Sequence, residues 1–276
     1  TEYWVVRPQG ALAPELDPGV KVRVLGQHWV RHLPRKLAGF TAIPALSRLI
    51  RERHPAIVFS AGNHFHLATG AAYRLAGSPA CVRLAGRASN AVPGIERLGV
   101  FAPFLRPVAR LLDRAKYAGM NPVIAVAAEL GEELQGLGIS RDRIRVIANG
   151  VDTATLDRLA QAALDHPWFQ ENGPPVILAA GRLARQKNYP LLLEAFALAR
   201  KCRELRLVIL GRGTPEALAK LQARAKALGI AEDVRFEGFV PNPYAYFARA
   251  GLFVLSSRWE GMSNVLQARI SGPEPV

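Results

Sequence analysis

Short runs of apolar and β-branched residues alternate along this chain with stretches whose apolar positions recur every three to four residues. The runs fall at residues 3–6, 20–25, 57–60, 80–84, 123–126 and 144–147, and again at 176–180, 207–210, 234–236 and 252–255. Between them, Leu37, Phe40, Ile43, Leu46 and Ile50 mark one helix, and Leu67, Ala71 and Leu75 another. In the second series Leu192/Phe196 and Leu193/Ala197 mark a helix. Leu218, Leu221, Ala225 and Leu228 mark the next, ended by Gly229. Strands that alternate with helices in this way predict an α/β protein with parallel sheets covered on both faces.

The rhythm breaks over residues 150–175, where Asp165-His166-Pro167-Trp168 and Asn172-Gly173-Pro174-Pro175 are turn-forming sequences. The expectation is two Rossmann-like, doubly wound domains facing each other across a cleft. They would span residues 1–150 and 175–276, with an interdomain linker over 151–174. A chain of 276 residues can bury both cores, and an apolar fraction of 50% excludes a disordered polymer. Two cysteines, Cys81 and Cys202, exclude a disulfide scaffold and fit a reducing, cytoplasmic compartment. No uninterrupted apolar stretch is long enough to span a bilayer. The chain opens on Thr1 without an initiator Met or a leading turn, so it is expected to start inside a longer protein.

Charge adds a class of partner. The net charge is +14. Residues 1–170 hold 21 basic against 13 acidic side chains, and residues 171–276 hold 15 against 9, so the excess is spread with no basic tail. Nucleic acid, an anionic membrane surface and phosphorylated small molecules could each want it, and a solvated arginine-rich surface accounts for it equally well. A nucleic-acid binder would need a stacking platform or a recognition helix, and the sequence offers neither. Phe101, Phe104, Leu105, Val108, Leu111 and Leu112 interleave with Arg106, Arg110, Arg114 and Lys116. That pattern predicts a basic amphipathic helix, which suits either a core helix with a basic face or a helix lying on an anionic leaflet.

Four strand-end turns carry the candidate chemistry. Gly181-Arg182-Leu183-Ala184-Arg185-Gln186-Lys187 follows the strand at 176–180. In an α/β sheet such a turn lies at the carboxyl end of the strands, where ligands bind. Lys187 is a point charge for phosphate oxygens, Arg182 a bidentate fork, and the next helix adds its positive end. Gly211-Arg212-Gly213 follows the next strand but lacks the third glycine of a dinucleotide fingerprint, because Glu216 stands there. Gly238-Phe239-Val240 can present backbone groups to a nucleobase edge. Ser256-Ser257-Arg258-Trp259-Glu260-Gly261-Met262-Ser263 places a carboxylate on a tight turn. An ordinary turn or helix cap explains the last three singly. As a set of cations, glycines and one carboxylate at successive strand ends, the four point to one crevice.

In that order the motifs resemble the donor-binding half of retaining GT-B glycosyltransferases of the family-four, or group 1, type. The likeness covers most of residues 120–266, and Asn149-Gly150-Val151-Asp152 is similar to the interdomain element of the same enzymes. The resemblance implies a metal-independent enzyme without a cofactor. It would move a hexose or N-acetylhexosamine from a nucleotide sugar, most simply UDP-linked, to a lipid-linked or cell-envelope glycan on the cytoplasmic side of a membrane. Arg182 and Lys187, with Gly181 beneath them, would grip the donor diphosphate. Gly211 and Gly213 would border the nucleotide, and the backbone at Phe239 and Val240 would meet the base. Glu260, with the amides of Gly261, Met262 and Ser263, would meet the sugar hydroxyls. A second acid expected eight positions after Glu260 is Ala268 here, and against these enzymes the chain lacks the first strand and glycine-rich loop ahead of Tyr3 and turns Pro-rich before Val276, so both ends read as incomplete and an inactive fragment that keeps the fold is the rival reading. On the acceptor side, Asn63 and His64 follow the strand at 57–60, and Ser89 and Asn90 resemble the polar loop these enzymes place near the acceptor.

Overall fold

The computed structural model describes residues 1–6, 17–26, 32–33, 35–90, 102–170, 172–260 and 262. It divides into two compact units, Thr1–Ala148 and Asn149–Val276.

In the first unit β1 (Glu2–Val5) and β2 (Lys21–Val24) pair in parallel. A second, four-stranded parallel sheet follows the order β3-β4-β5-β6, built from β3 (Ile57–Ser60), β4 (Arg83–Ala88), β5 (Val123–Ala125) and β6 (Ile144–Val146). The helix expected from Leu37 to Ile50 is two: α1 (Arg35–Thr41) and α2 (Ile43–Arg53). Pro44 lies in the first turn of α2, where its missing N–H costs nothing, whereas a helix running through it would lose a hydrogen bond. The strand expected at 80–84 begins only at Arg83, because the Val82 amide turns back to the Pro79 carbonyl at 2.9 Å. After β3 comes α3 (His66–Leu75) and after β4 comes α4 (Ala102–Lys116), while α5 (Ala128–Gly136) links β5 to β6. On α4, Val108, Leu111 and Leu112 are 54–67% exposed, so those three positions do not serve the core.

The second unit begins with α6 (Thr153–Ala160). Asp152 caps it, accepting from the Thr155 amide at 3.1 Å and its hydroxyl at 2.7 Å. The sheet comprises β7 (Val176–Ala180), β8 (Arg206–Leu210), β9 (Val234–Gly238) and β10 (Leu252–Phe253), all parallel, in the order β10-β7-β8-β9. Side chains alternate across it. Leu207 and Ile209 face a core with Leu192, Leu193 and Phe196 of α7 (Tyr189–Arg200) and Leu221 and Ala225 of α8 (Pro215–Ala227). Leu178, Val208 and Leu210 face the opposite core with Leu156 of α6 and Phe247 of α9 (Tyr244–Arg249).

The segment expected as a linker thus contributes α6 to one layer of the second unit. Val151, Trp168 and Phe169 pack against that second core. His166 is buried beside them. The donor-only Trp168 amide gives its hydrogen to His166 Nδ1 at 3.1 Å, so the ring proton sits on Nε2 and is donated to Glu237 Oε1 at 3.1 Å.

Candidate active site

The strand order sets the four turns side by side. The turn after β7 lies between those after β10 and β8, with that after β9 beyond. Backbone hydrogen bonds tie each to the next. The Gly181 amide donates to Leu210 O at 2.8 Å, Leu183 N to Arg212 O at 2.9 Å, and Gly211 N to Gly238 O at 2.5 Å. On the other side Arg258 N donates to Gln186 O at 2.8 Å, and the Ser256 hydroxyl to Lys187 O at 2.7 Å.

Glycine is required at two of these crossings. Gly181 has φ 146°, and a Cβ there would lie 2.5 Å from Lys187 Cε, so the lysine stem lies directly across it. Gly211 has φ 136°, and its Cβ would meet the Gly181 carbonyl oxygen at 2.1 Å. Gly213 packs on Leu183, whose Cβ is 2.5 Å from where a Cβ of residue 213 would be.

Lys187 Nζ is 2.7 Å from Glu260 Oε1, with the two side chains 14% and 22% exposed. Gln186 Nε2 donates to Trp259 O at 2.9 Å and to Glu260 Oε2 at 3.2 Å. The Tyr189 hydroxyl donates to Gly181 O at 2.9 Å, and burial together with the Glu260 charge raises its pKa, so it stays a donor at neutral pH. Arg182 is exposed on the same turn. Phe239 is 53% exposed, with the Arg212 guanidinium 4.7 Å from its ring centroid. Val240 packs toward the core, and Met262 Sδ accepts the Asn149 amide at 3.3 Å. Gly261, Ser263 and Ala268 lie outside the described residues.

The sequence reading thus named the glycines, the cations and Glu260, and the structure brings Gly181, Lys187, Gly211, Gly213 and Glu260 together. It passed over Gln186 and Arg212 as site residues, although both stood inside the quoted motifs. Among the described residues no cluster of three or more His, Cys, Asp or Glu could hold a metal ion. No helix among them is long and apolar enough to cross a membrane.

In the first unit Asn63 Oδ1 accepts from the Ser89 amide at 3.1 Å and its hydroxyl at 3.4 Å, while Asn63 Nδ2 donates to Asn90 O at 3.4 Å. Asn63 therefore staples the loop after β3 to the loop after β4. His64 is exposed, its ring 4.4 Å from that of Phe65. His66, two positions on, is fully buried at the start of α3. Its Nε2 is 3.2 Å from the Arg87 carbonyl, an obligate acceptor, so Nε2 carries the proton and Nδ1 accepts from the Ser60 hydroxyl at 2.7 Å. It falls on the same helical face as Thr69 and Gly70, which are buried too.

Burial, reinforced by the Lys116 and His64 charges and opposed by the Arg87 carbonyl, lowers the His66 pKa to about 4. An unfolded histidine titrates near 6.5, so the unfolded chain binds the extra proton between those values. Stability is full above about pH 6.5 and falls as the pH drops, by about 3 kcal/mol near pH 4. Chemical denaturation at pH 7 and pH 4.5 should show this loss, reduced in His66→Gln. Equal pH slopes in both proteins would sink the assignment.

Residues 2–155 match the Glycosyltransferase Family 4 model, and residues 161–267 the Glycosyl transferases group 1 model. One relative is the N-acetylgalactosamine-N,N'-diacetylbacillosaminyl-diphospho-undecaprenol 4-alpha-N-acetylgalactosaminyltransferase of Campylobacter jejuni. It is 36% identical over 137 residues, 50% of this chain and 35% of the relative. The mannosylfructose-phosphate synthase of Agrobacterium fabrum is 35% identical over 175 residues, 58% of this chain and 38% of its own length. The lipopolysaccharide core biosynthesis glycosyltransferase LpsE of Rhizobium meliloti is 31% identical over 147 residues, 53% and 40% respectively. The matched segments thus span 35–40% of these relatives. Among solved structures, Anabaena Alr3699/HepE in complex with UDP-glucose superposes with a TM-score of 0.75 at 16% identity, over 98% of this chain and 70% of that one. Sucrose-phosphate synthase from Thermosynechococcus elongatus gives 0.74 at 14% identity, over 98% and 68%. Both likenesses concern the fold.

Proposed function

Since this chain belongs to glycosyltransferase family 4 and has the GT-B fold, we propose that the protein it represents is a retaining, metal-independent glycosyltransferase. It transfers a hexose or N-acetylhexosamine from a UDP-sugar to a lipid-linked or cell-envelope glycan. The observation that carries the reading is the Lys187–Glu260 pair at 2.7 Å, set over Gly181 where the four strand-end turns adjoin. A cation for the diphosphate and a carboxylate for sugar hydroxyls are what a nucleotide-sugar site needs within one ligand's length.

When the bond between the sugar carbon and the diphosphate oxygen breaks, negative charge grows on the departing nucleoside diphosphate. Lys187 and Arg182 meet that charge with fixed positive charge and N–H donors, which lowers the barrier. The acceptor hydroxyl attacks the same face, and its proton passes to the departing phosphate oxygen, so the configuration is retained. Gly211 and Gly213 allow the nucleotide close to the backbone, and the backbone at Phe239 and Val240 meets the base. Glu260 accepts hydrogen bonds from sugar hydroxyls through lone pairs not used by Lys187 and Gln186. Gly261, Met262 and Ser263 supply further amides. In the first unit Asn63, Ser89, Asn90 and His64 serve the acceptor.

The acceptor class draws support from the relatives, which include a transferase acting on a diphospho-undecaprenol and a lipopolysaccharide core enzyme. The exposed Val108, Leu111 and Leu112 of α4, with Arg110 between them, suit peripheral contact with the anionic cytoplasmic leaflet.

Titration calorimetry tests the donor reading. UDP should bind roughly 100-fold more tightly than uridine, because charge-assisted bonds to the diphosphate are worth about 1.5–3 kcal/mol each. The advantage should shrink as salt rises. Equal affinities, or no heat with either, would overturn the reading.

A further inference from the structure

We propose that Gln186 is a positioning residue for Glu260, fixing the carboxylate that faces the donor sugar. The inference rests on the donor-site reading of Glu260 and adds a residue to it. Trp259 O and the Glu260 carboxylate only accept, so the Gln186 side chain must turn its NH2 toward both. One hydrogen goes to Trp259 O at 2.9 Å and the other to Glu260 Oε2 at 3.2 Å. Lys187 takes the other carboxylate oxygen at 2.7 Å.

Two consecutive residues thus hold the two oxygens of one carboxylate. They can do so because residues Arg185–Lys187 form a single 3-10 turn, closed by Asn188 in the left-handed region at φ 51°. The Gln186 main chain reinforces the clamp, its carbonyl accepting the Arg258 amide at 2.8 Å, and the Lys187 carbonyl accepts the Ser256 hydroxyl at 2.7 Å. The β10 turn is thereby bound to the β7 turn by five hydrogen bonds to residues 186 and 187. The division of labour follows. Lys187 is shared between Glu260 and the diphosphate, so its grip on the carboxylate slackens when a donor binds. Gln186 has no charge to offer phosphate, and it keeps Glu260 in register while Lys187 turns to its second partner.

Gln186→Leu removes both donors at nearly constant size. It should weaken UDP-sugar binding and lower kcat about tenfold while UDP affinity stays within about twofold, since UDP lacks the sugar. On a Glu260→Ala background the same change should add nothing. Gln186→Glu supplies a signature that a merely structural role would not produce. Two carboxylates in contact share a proton at mildly acidic pH, which restores a donor. Transfer by that variant should therefore recover between pH 8 and pH 5, whereas transfer by the wild type should not rise on acidification. Additive effects of Gln186→Leu and Glu260→Ala, or equal losses of UDP and UDP-sugar affinity, would overturn the positioning role while leaving the donor site standing. Failure of the wild-type protein to bind UDP would overturn the donor reading and this role with it.

Discussion

Lys187→Ala is expected to lower glycosyl transfer by roughly 10²–10³-fold, the usual loss when one fixed donor is taken from a charge that develops in the transition state. The lysine stem crosses Gly181 where a Cβ would lie 2.5 Å from its Cε, and its Nζ sits 2.7 Å from Glu260 Oε1. Its removal deletes the positive charge at the diphosphate and leaves the Glu260 carboxylate with Gln186 as its one hydrogen-bond partner among the described residues. Lys187→Arg keeps the charge, but a planar fork cannot follow the path of a lysine stem over Gly181, so only part of the rate should return. Arg182→Ala is the cleaner companion. Arg182 is exposed, so its loss should alter stability by no more than about 0.5 kcal/mol while weakening UDP binding about tenfold or more. Calorimetry with UDP and a melting curve on the same samples separate the two effects. Unchanged UDP affinity in both alanine variants would remove residues 181–187 from the donor site.

Gly211→Ala is expected to cost unit two about 3 kcal/mol or more, because strained backbone and backbone overlap add. The residue has φ 136°, and the new Cβ would lie 2.1 Å from Gly181 O and 2.6 Å from its carbonyl carbon. Neither atom can withdraw. Gly181 N is bonded to Leu210 O, and Gly181 O accepts from Tyr189. The crossing also sets the separation of the β7 and β8 turns, so nucleotide affinity should fall with stability. Gly229→Ala is the control. It too has a positive φ, 70°, yet nothing lies within 4 Å of its Cβ, so only the left-handed backbone penalty of about 1–2 kcal/mol applies. Equal costs at the two glycines, read by chemical denaturation, would show that the Gly211–Gly181 approach does not hold the turn together.

What could be read from the residues alone was whatever local pattern encodes. Apolar runs at 176–180 and 207–210 became β7 and β8, and Leu192, Leu193, Phe196 and Ala197 became the buried face of α7. Glycines marked strand-end turns because positive φ and close backbone approach are demands on single positions. Errors came where a neighbour in space decided the outcome. Residues 151–174 look like a linker by composition, yet Trp168 and Phe169 pack on a sheet face that the sequence does not display. His64 and His66 are two positions apart with similar neighbours, and only the packing of α3 against the first unit's core buries one and exposes the other.

The chain by itself determined the alternation of elements, the position of the four strand-end turns of the second unit and the presence of Arg182, Lys187 and Glu260 in them, since each depends on residues a few positions apart. Tertiary structure decided the strand order β10-β7-β8-β9. Nothing in a run of apolar residues names its partner, because ladder hydrogen bonds are made by backbone that is the same in every strand. That order carries Glu260 across more than seventy residues to Lys187 and Gln186, and so turns four ordinary turns into one site.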